Sequence, residues 1–200
     1  MFCPVALALL VDVSGSVSLE NLRLQQQAYV QSFREPRIRN IILSQAPIAL
    51  RYVEWDSEPS PVVEWTLVET AQDLEAFVIQ LESNVIMGSR GMTGMARAIK
   101  ETIASASSIP CEVGRFVIDI SGDGDDNVTG KVDEVRDIAQ EAGITINGLP
   151  IVTPTPEGRT VVQFYRENVI THDGFNIVVE GYESILGGLN RKLNREIAGN

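Results

Sequence analysis

Apolar residues fall in two rhythms along this chain. "ALALLVDV", "RFVIDIS" and "ITINGLPIV" are nearly unbroken apolar runs of strand length, the pattern of strands covered on both faces. Between such runs the apolar positions recur at helical spacing. Residues 19–33 predict a helix opened by a Ser18 cap and ended by Pro36, and residues 73–82, 93–107 and 182–197 predict three more. Residues 132–141 predict a further helix, ended by Gly143. "IALRYVEWD" and "VVEWTLV" flank the turn-forming "SEPSP", which predicts an antiparallel hairpin with Trp55 and Trp65 as cross-strand partners. The repeated "VEW" is then hairpin pairing and not a duplicated domain. "TPTPEG" predicts a loop and "FNIVVE" a last strand. The alternation implies an α/β fold: a Rossmann-like, doubly wound, mostly parallel six-stranded sheet with one antiparallel edge strand and helices on both faces. Residues 1–200 are read as a single domain. In such sheets ligands sit beyond the carboxyl ends of the strands.

Charge narrows the partners. The 27 acidic residues exceed the 16 basic ones, for a net charge of −11, whereas nucleic-acid binding needs clustered Lys and Arg. Nucleic acid and anionic membrane surfaces are therefore poor partners. The apolar run 5–11 lacks a preceding basic residue and a small-residue cleavage site. It also falls far short of the roughly 20 residues that cross a bilayer. It reads as a buried strand with no membrane insertion, and a leader removed ahead of it is compatible with this reading.

Three polar clusters stand where strands end or helices begin: "DVSGS", "GSRGMTGM" and "SGDGDDN". If their elements are neighbours, Asp12, Ser14, Ser16, Thr93 and Asp123 converge on one crevice. Their oxygens are hard ligands, suited to Mg²⁺, with Mn²⁺ or Ca²⁺ as alternatives, and not to zinc or copper. Glycines 15, 91, 94, 122 and 124 would let the backbone turn tightly around an ion. D-x-S-x-S after an apolar strand, the Thr of "TGMARAI" and a strand ending in Asp-Gly resemble the metal-ion-dependent adhesion site of von Willebrand factor type A domains. The resemblance covers the chain in element order. It implies that Ser14 and Ser16 bind the ion directly, that Asp12 acts through water, and that Thr93 and Asp123 bind directly or through water. A departure is "SGDG" where many members carry "TDG". "VEW", "VIDISGDGDDN", "INGLPI" and "RKLNREI" resemble a narrower bacterial, commonly exported, von Willebrand A-type family of uncharacterised function.

Blander readings compete at each position. Ser16 or Ser18 alone would serve as a helix cap, but a cap needs one oxygen and explains neither Thr93 nor Asp123. Thr93 alone reads as an N-cap, and Asp125 and Asp126 as a solvated acidic turn beside Asp123. "DGDDNVTGKVDE" matches an EF-hand loop in part, yet Val128 stands where Gly is required and a strand-like segment precedes it. A haloacid-dehalogenase-type phosphatase would use Asp12, Thr93, Lys100 and the "GDGDDN" loop in that order. Ser14 occupies the place of its general acid, which a hydroxyl cannot fill near neutral pH. Trp55 and Trp65 read as sheet-face packing and His172 as a loop residue. The nucleophile-elbow pattern G-x-S-x-G is absent from the sequence.

The resembled fold places Asp12 and Asp123 at the ends of adjacent parallel strands, which sends Cys3 and Cys111 together to the opposite edge. Strands about 4.8 Å apart lie within reach of a disulfide, whose Cα atoms sit roughly 4.4 to 6.8 Å apart. A bridge would indicate an oxidising compartment, periplasmic or secreted. Two unrelated thiols and a cytoplasmic location are the alternative. The function expected is divalent-metal-dependent protein binding without catalysis, a partner's Asp or Glu carboxylate completing the metal's shell. The resemblance further implies that movement of the Asp123 loop couples to a shift of the last helix. The phosphatase and a purely structural, metal-stiffened module are the rival readings.

Overall fold

Strand β1 (Phe2–Asp12) is buried from Val5 to its end and forms the middle of the sheet in the computed structural model. The structure describes residues 1–84, 91–128, 131–152 and 156–199, and of 156–159 the backbone alone. After β1 come α1 (Leu19–Arg34), α2 (Pro36–Ser44), β2 (Ile48–Trp55), β3 (Pro59–Val68) and α3 (Ala71–Ser83). Then follow α4 (Met95–Ala104), β4 (Glu112–Gly122), α5 (Val132–Glu141), β5 (Ile144–Val152), α6 (Pro156–Phe164), β6 (Val179–Glu180) and α7 (Ile185–Ala198). The six strands run in the order β3-β2-β1-β4-β5-β6, every neighbouring pair parallel except β2 and β3. This is the doubly wound sheet with one antiparallel edge that the apolar runs predict.

Alternation along β1 divides the core into two layers. Val5, Leu7, Leu9 and Val11 pack with residues of α1, α2, α3 and α7, while Ala6, Ala8 and Leu10 pack with α4, α5 and α6. Small side chains at 6 and 8 leave room for Met95 and Ile99 of α4, both fully buried. Arg51 of β2, only 2% exposed, reaches the same layer and donates to both carboxylate oxygens of Glu101 on α4 at 3.0 and 2.8 Å. That bidentate pair fixes the helix which follows Thr93.

Several local expectations are corrected. Pro36 does not only stop the first helix; it occupies the first turn of α2, where its missing N–H costs nothing, and the Glu35 side chain caps Ile38 N. Trp55 and Trp65 are not cross-strand partners. Trp55 lies opposite Pro59, and a register shift near Arg51 sends the Trp65 indole to donate to Ser105 Oγ at 2.9 Å and to meet the Phe116 ring edge-on. The predicted "TPTPEG" loop gives way to α6 at Pro156, its residues 153–155 lying outside the described ones. "FNIVVE" forms a strand only at Val179 and Glu180, with Asn176 adding an isolated parallel bridge to Gly148. The helix predicted over 93–107 is α4 followed by a 3₁₀ turn, Ser105–Ser108, and the last helix is a 3₁₀ turn, Tyr182–Ser184, leading into α7.

At the edge of the sheet away from the strand ends, Cys3 and Cys111 are joined in a disulfide with Cα atoms 5.9 Å apart. Cys3 lies opposite Val113 in the parallel register of β1 and β4, so the bridge closes beside the two central strands. It spans 108 residues of sequence. Closing so long a loop restricts the unfolded chain by about 4 to 5 kcal/mol in the chain-entropy view. Replacing Cys111 by Ser is expected to lower the free energy of denaturant unfolding by about that amount; a change below 1 kcal/mol would show that the bridge contributes little.

Candidate metal centre

The first loop leaves β1 directly at Asp12, whose side chain turns back so that Oδ1 accepts from Ser14 N at 2.8 Å. This turn brings the Ser14 and Ser16 hydroxyls within 3.1 Å of each other. Gln25 of α1 donates to Asp12 O at 3.0 Å and holds the turn against the helix that follows. The third loop leaves β4 at Gly122, and Ser16 Oγ donates to Asp123 Oδ1 at 2.8 Å across 107 residues of sequence. Parallel pairing of β1 with β4, in which Val11 faces Ser121, is what sets these two loops side by side.

Thr93 arrives from a loop fastened on three sides. Gly15 N donates to Gly91 O at 3.0 Å, Gly94 N to Asp56 O at 2.7 Å and Met92 N to Ser57 Oγ at 2.8 Å. Thr93 N donates to Asn127 Oδ1 at 2.8 Å, and Asn127 N returns a bond to Thr93 O at 3.0 Å. Thr93 is buried and does not cap α4; the cap position is Gly94, without a side-chain bond. Asp126 from the third loop instead accepts from Ala96 N at 2.9 Å. The predicted solvated acidic turn is therefore in part a brace between loops. Residues 85–90, which include Gly88, Ser89 and Arg90 of "GSRGMTGM", lie outside the described residues.

Asp12, Ser14, Ser16 and Asp123 are thus joined by a continuous run of hydrogen bonds, while the backbone of Thr93 is tied to Asn127 of the loop that carries Asp123. Asp12 and Ser14 form a buried floor, Asp123 is half-buried and Ser16 is exposed at the mouth. The electrostatics are one-sided. Asp12 Oδ2 is buried and, by hydrogen-bond geometry, has no partner among the described residues. Burial first, and the charge of Asp123 after it, push the Asp12 carboxyl up to about 7 against the opposing hydrogen bonds from Ser14 and from the Asp123 backbone. Among the described residues no lysine or arginine forms an ion pair with either carboxylate. Nor, among the described residues, do three or more His, Cys, Asp or Glu gather to hold a metal ion by themselves.

Two tyrosines complete the wall, and sequence patterns did not mark them. Tyr182 OH donates to Asp123 Oδ2 at 2.9 Å, and burial together with that carboxylate raises the phenol, which keeps its proton. Tyr165 OH is buried without a hydrogen-bond partner near Asp12. Isolated tyrosines in amphipathic segments carry no periodic signal of such a role. The expectation for the glycines is also revised. Among the described residues, positive φ occurs at Gly143, Gly181 and Gly199, none of them in the three loops. Gly122 serves close approach instead: a Cβ there would lie 2.8 Å from Asp12 Oδ2 and 3.0 Å from Tyr165 OH.

The sequence profile of the family described as "Protein of unknown function (DUF1194)" matches residues 2–200. The chain belongs to that DUF1194 family. No curated protein matches it. Among solved structures it is similar to proximal thread matrix protein 1 from the mussel byssus, in a form whose metal-ion-dependent adhesion motif is occupied by zinc. That match has a TM-score of 0.70 and 10% identity over 98% of this chain and 48% of the mussel chain. It is similar to BatB from Bacteroides thetaiotaomicron, with TM-score 0.66 and 19% identity over 98% of this chain and 100% of the other. It is similar, too, to a von Willebrand factor type A protein from Catenulispora acidiphila, with TM-score 0.66 and 13% identity over 98% of this chain and 43% of the other. This DUF1194 chain therefore has the von Willebrand A fold, and it spans about half the length of the mussel protein. Among the described residues no helix is long and apolar enough to cross a membrane.

The Asp12 shift sets a pH dependence for the protein kept free of divalent ions. Its folded value of about 7 exceeds the ordinary 3.8, so the folded state keeps a proton that the unfolded state releases, and stability falls as pH rises through that window. Asp12→Asn cannot ionise. It is expected to raise the unfolding free energy in chelator by about 2 to 4 kcal/mol near pH 8 and by little near pH 4. Urea unfolding at the two pH values checks this, and an equal effect at both would refute a buried, uncompensated Asp12.

Proposed function

We propose that the loops ending β1 and β4, with the loop before α4, hold one hard divalent cation, and that the DUF1194 chain uses it to bind a protein partner through an Asp or Glu carboxylate. The observation that carries this reading is the buried Asp12 Oδ2, without a hydrogen-bond partner among the described residues, close enough to Asp123 to feel its charge and beside a hydroxyl chain from Ser14 through Ser16 to Asp123. A cation supplies the charge this arrangement lacks. Ser14, Ser16 and Thr93 would hold it through neutral oxygens, while Asp12 and Asp123 would supply negative charge. The donor set is oxygen only, which favours Mg²⁺. A cation held largely by neutral ligands keeps its attraction for an external anion, and it reverses the local sign on a chain of net charge −11. The zinc-occupied motif in the mussel protein of like fold supports a metal here without identifying the ion.

The Cys3–Cys111 bridge supports an oxidising compartment, periplasmic or extracellular. We read residues 1–200 as one domain acting by binding and not by catalysis. Lys100, which the phosphatase reading would need at the phosphate, is an exposed residue of α4, and Ser14 stands where that chemistry wants an acid.

Titration calorimetry with Mg²⁺ tests the site. Loss of outer partners alone weakens metal sites by about 10- to 100-fold, so removing a direct ligand costs at least as much. Ser14→Ala and Asp123→Ala are each expected to weaken Mg²⁺ binding by at least about tenfold while leaving the circular dichroism spectrum intact. Unchanged affinity in both variants would exclude the assigned residues.

A further inference from the structure

A second cluster of charges lies deep between the sheet and α7, away from the loops. Lys192 Nζ is 2.6 Å from Asp119 Oδ1 of β4 and 2.6 Å from Glu196 Oε1, one turn along α7, and none of the three side chains has any exposed surface. Asn147, directly opposite Asp119 in the β4–β5 register, donates to Glu196 Oε1 at 2.9 Å. The Phe175 ring lies 5.9 Å from Nζ. Hydrogen bonding is incomplete where it should be strongest. Neither oxygen of Asp119 accepts a hydrogen bond, despite the amine at 2.6 Å, and Glu196 Oε2 has no partner. Among the described residues neither carboxyl forms an ion pair with any other cation.

Two carboxyls and one amine, wholly desolvated, make a costly ion cluster, because the hydration lost by each ion is recovered only through complete pairing. Burial and the nearby Asp119 charge push the Glu196 carboxyl up, so that it holds a proton readily. The arrangement has a less costly end state.

We propose that Lys192 and Asp119 condense in the folded protein into a side-chain amide, joining α7 covalently to β4, with Glu196 as the proton-transfer residue. The Lys192 Nζ–Asp119 Cγ bond forms and one Asp119 C–O bond breaks. The Lys192 ammonium first passes one proton to the Asp119 carboxylate 2.6 Å away, which gives a neutral amine and a neutral acid; Glu196, as the carboxylate, then takes a second proton from the attacking nitrogen and delivers it to the departing Asp119 hydroxyl, which leaves as water, so Glu196 ends as it began. An ammonium and a carboxylate already contain every atom of the amide and the water, and no oxidant or activating group is needed. In water this condensation is opposed by the hydration of the two ions. Here folding has already removed that hydration, and it holds nucleophile and acyl group in contact, where effective concentrations are very high.

Intact-mass spectrometry of the purified, disulfide-bonded chain tests this directly. The expected mass is one water molecule below that of the sequence with its disulfide, and digestion should release the β4 peptide joined to the α7 peptide. The full sequence mass, or a denatured protein whose Lys192 reacts with an amine reagent, would overturn the proposal. A deficit of ammonia in place of water would move the bond to Asn147 and overturn the assignment of Asp119. Lys192→Met should show its full sequence mass. Glu196→Gln, if folded by circular dichroism, should show its full mass when freshly purified; an undiminished water deficit in that variant would remove Glu196 from the reaction.

Discussion

A carboxylate buried without a counter-charge is the constraint on which the site depends. Asp12 cannot be accounted for by the stability of the chain alone, since burying it with Asp123 nearby disfavours ionisation and, among the described residues, no basic side chain pairs with it. The surrounding structure nevertheless maintains it: Gly122 leaves space for its outer oxygen, Ser14 N orients the inner one and Gln25 holds its backbone. That buried carboxylate, kept at one edge of the sheet, is the observation on which the proposed cation site rests.

The same edge is rigid because the loops are tied to one another and not only to their own strands. Gly15 meets Gly91, Thr93 exchanges bonds with Asn127, Asp126 caps α4, and Ser16 joins Asp123. Behind them Arg51 anchors α4 through Glu101. The described parts of these loops are thus ordered by one another before any ligand arrives, which would spare the proposed binding part of the entropy loss of ordering them. The disulfide at the other end of β1 and β4 fixes the same pair of strands whose register sets Val11 against Ser121 and so brings the loops after them side by side.

How much of this was legible in the chain follows from the range of each interaction. The apolar runs of β1, β4 and β5 declare themselves because burial on both faces removes polar residues from them. The D-x-S-x-S spacing is local, so Asp12, Ser14 and Ser16 could be read together, whereas Thr93 and Asp123 required the order of the strands. The Trp55–Trp65 pairing failed because a register shift near Arg51 re-aims Trp65, and a bulge leaves no mark in a pattern of alternation. β6 is where "FNIVVE" places it but shorter: Val179 and Glu180 form the strand and Asn176 adds a single bridge to Gly148, a truncation that the apolar run does not reveal. Tyr182 and Tyr165 were invisible because their part in the site is a contact from distant elements. Lys192 and Glu196 look, in "RKLNREI", like an ordinary exposed pair at helical spacing; only the packing of α7 on β4 turns them inward.

That inward turn bears on whether the site communicates with the rest of the molecule. Tyr182, at the entry to α7, bonds to Asp123, so a rearrangement of the third loop pulls first on the Tyr182–Ser184 turn. A helix clamped at Lys192, whether by ions or by an amide, cannot slide as a whole along the sheet. Gly188, where a Cβ would fall 2.2 Å from Val179 Cγ1, closes the same interface by contact. The segment free to respond is therefore the short one between Gly181, whose φ of 74° only glycine adopts readily, and the start of α7. The physical consequence is a division of labour within twenty residues: the far half of α7 belongs to the core, and its entry turn belongs to the site.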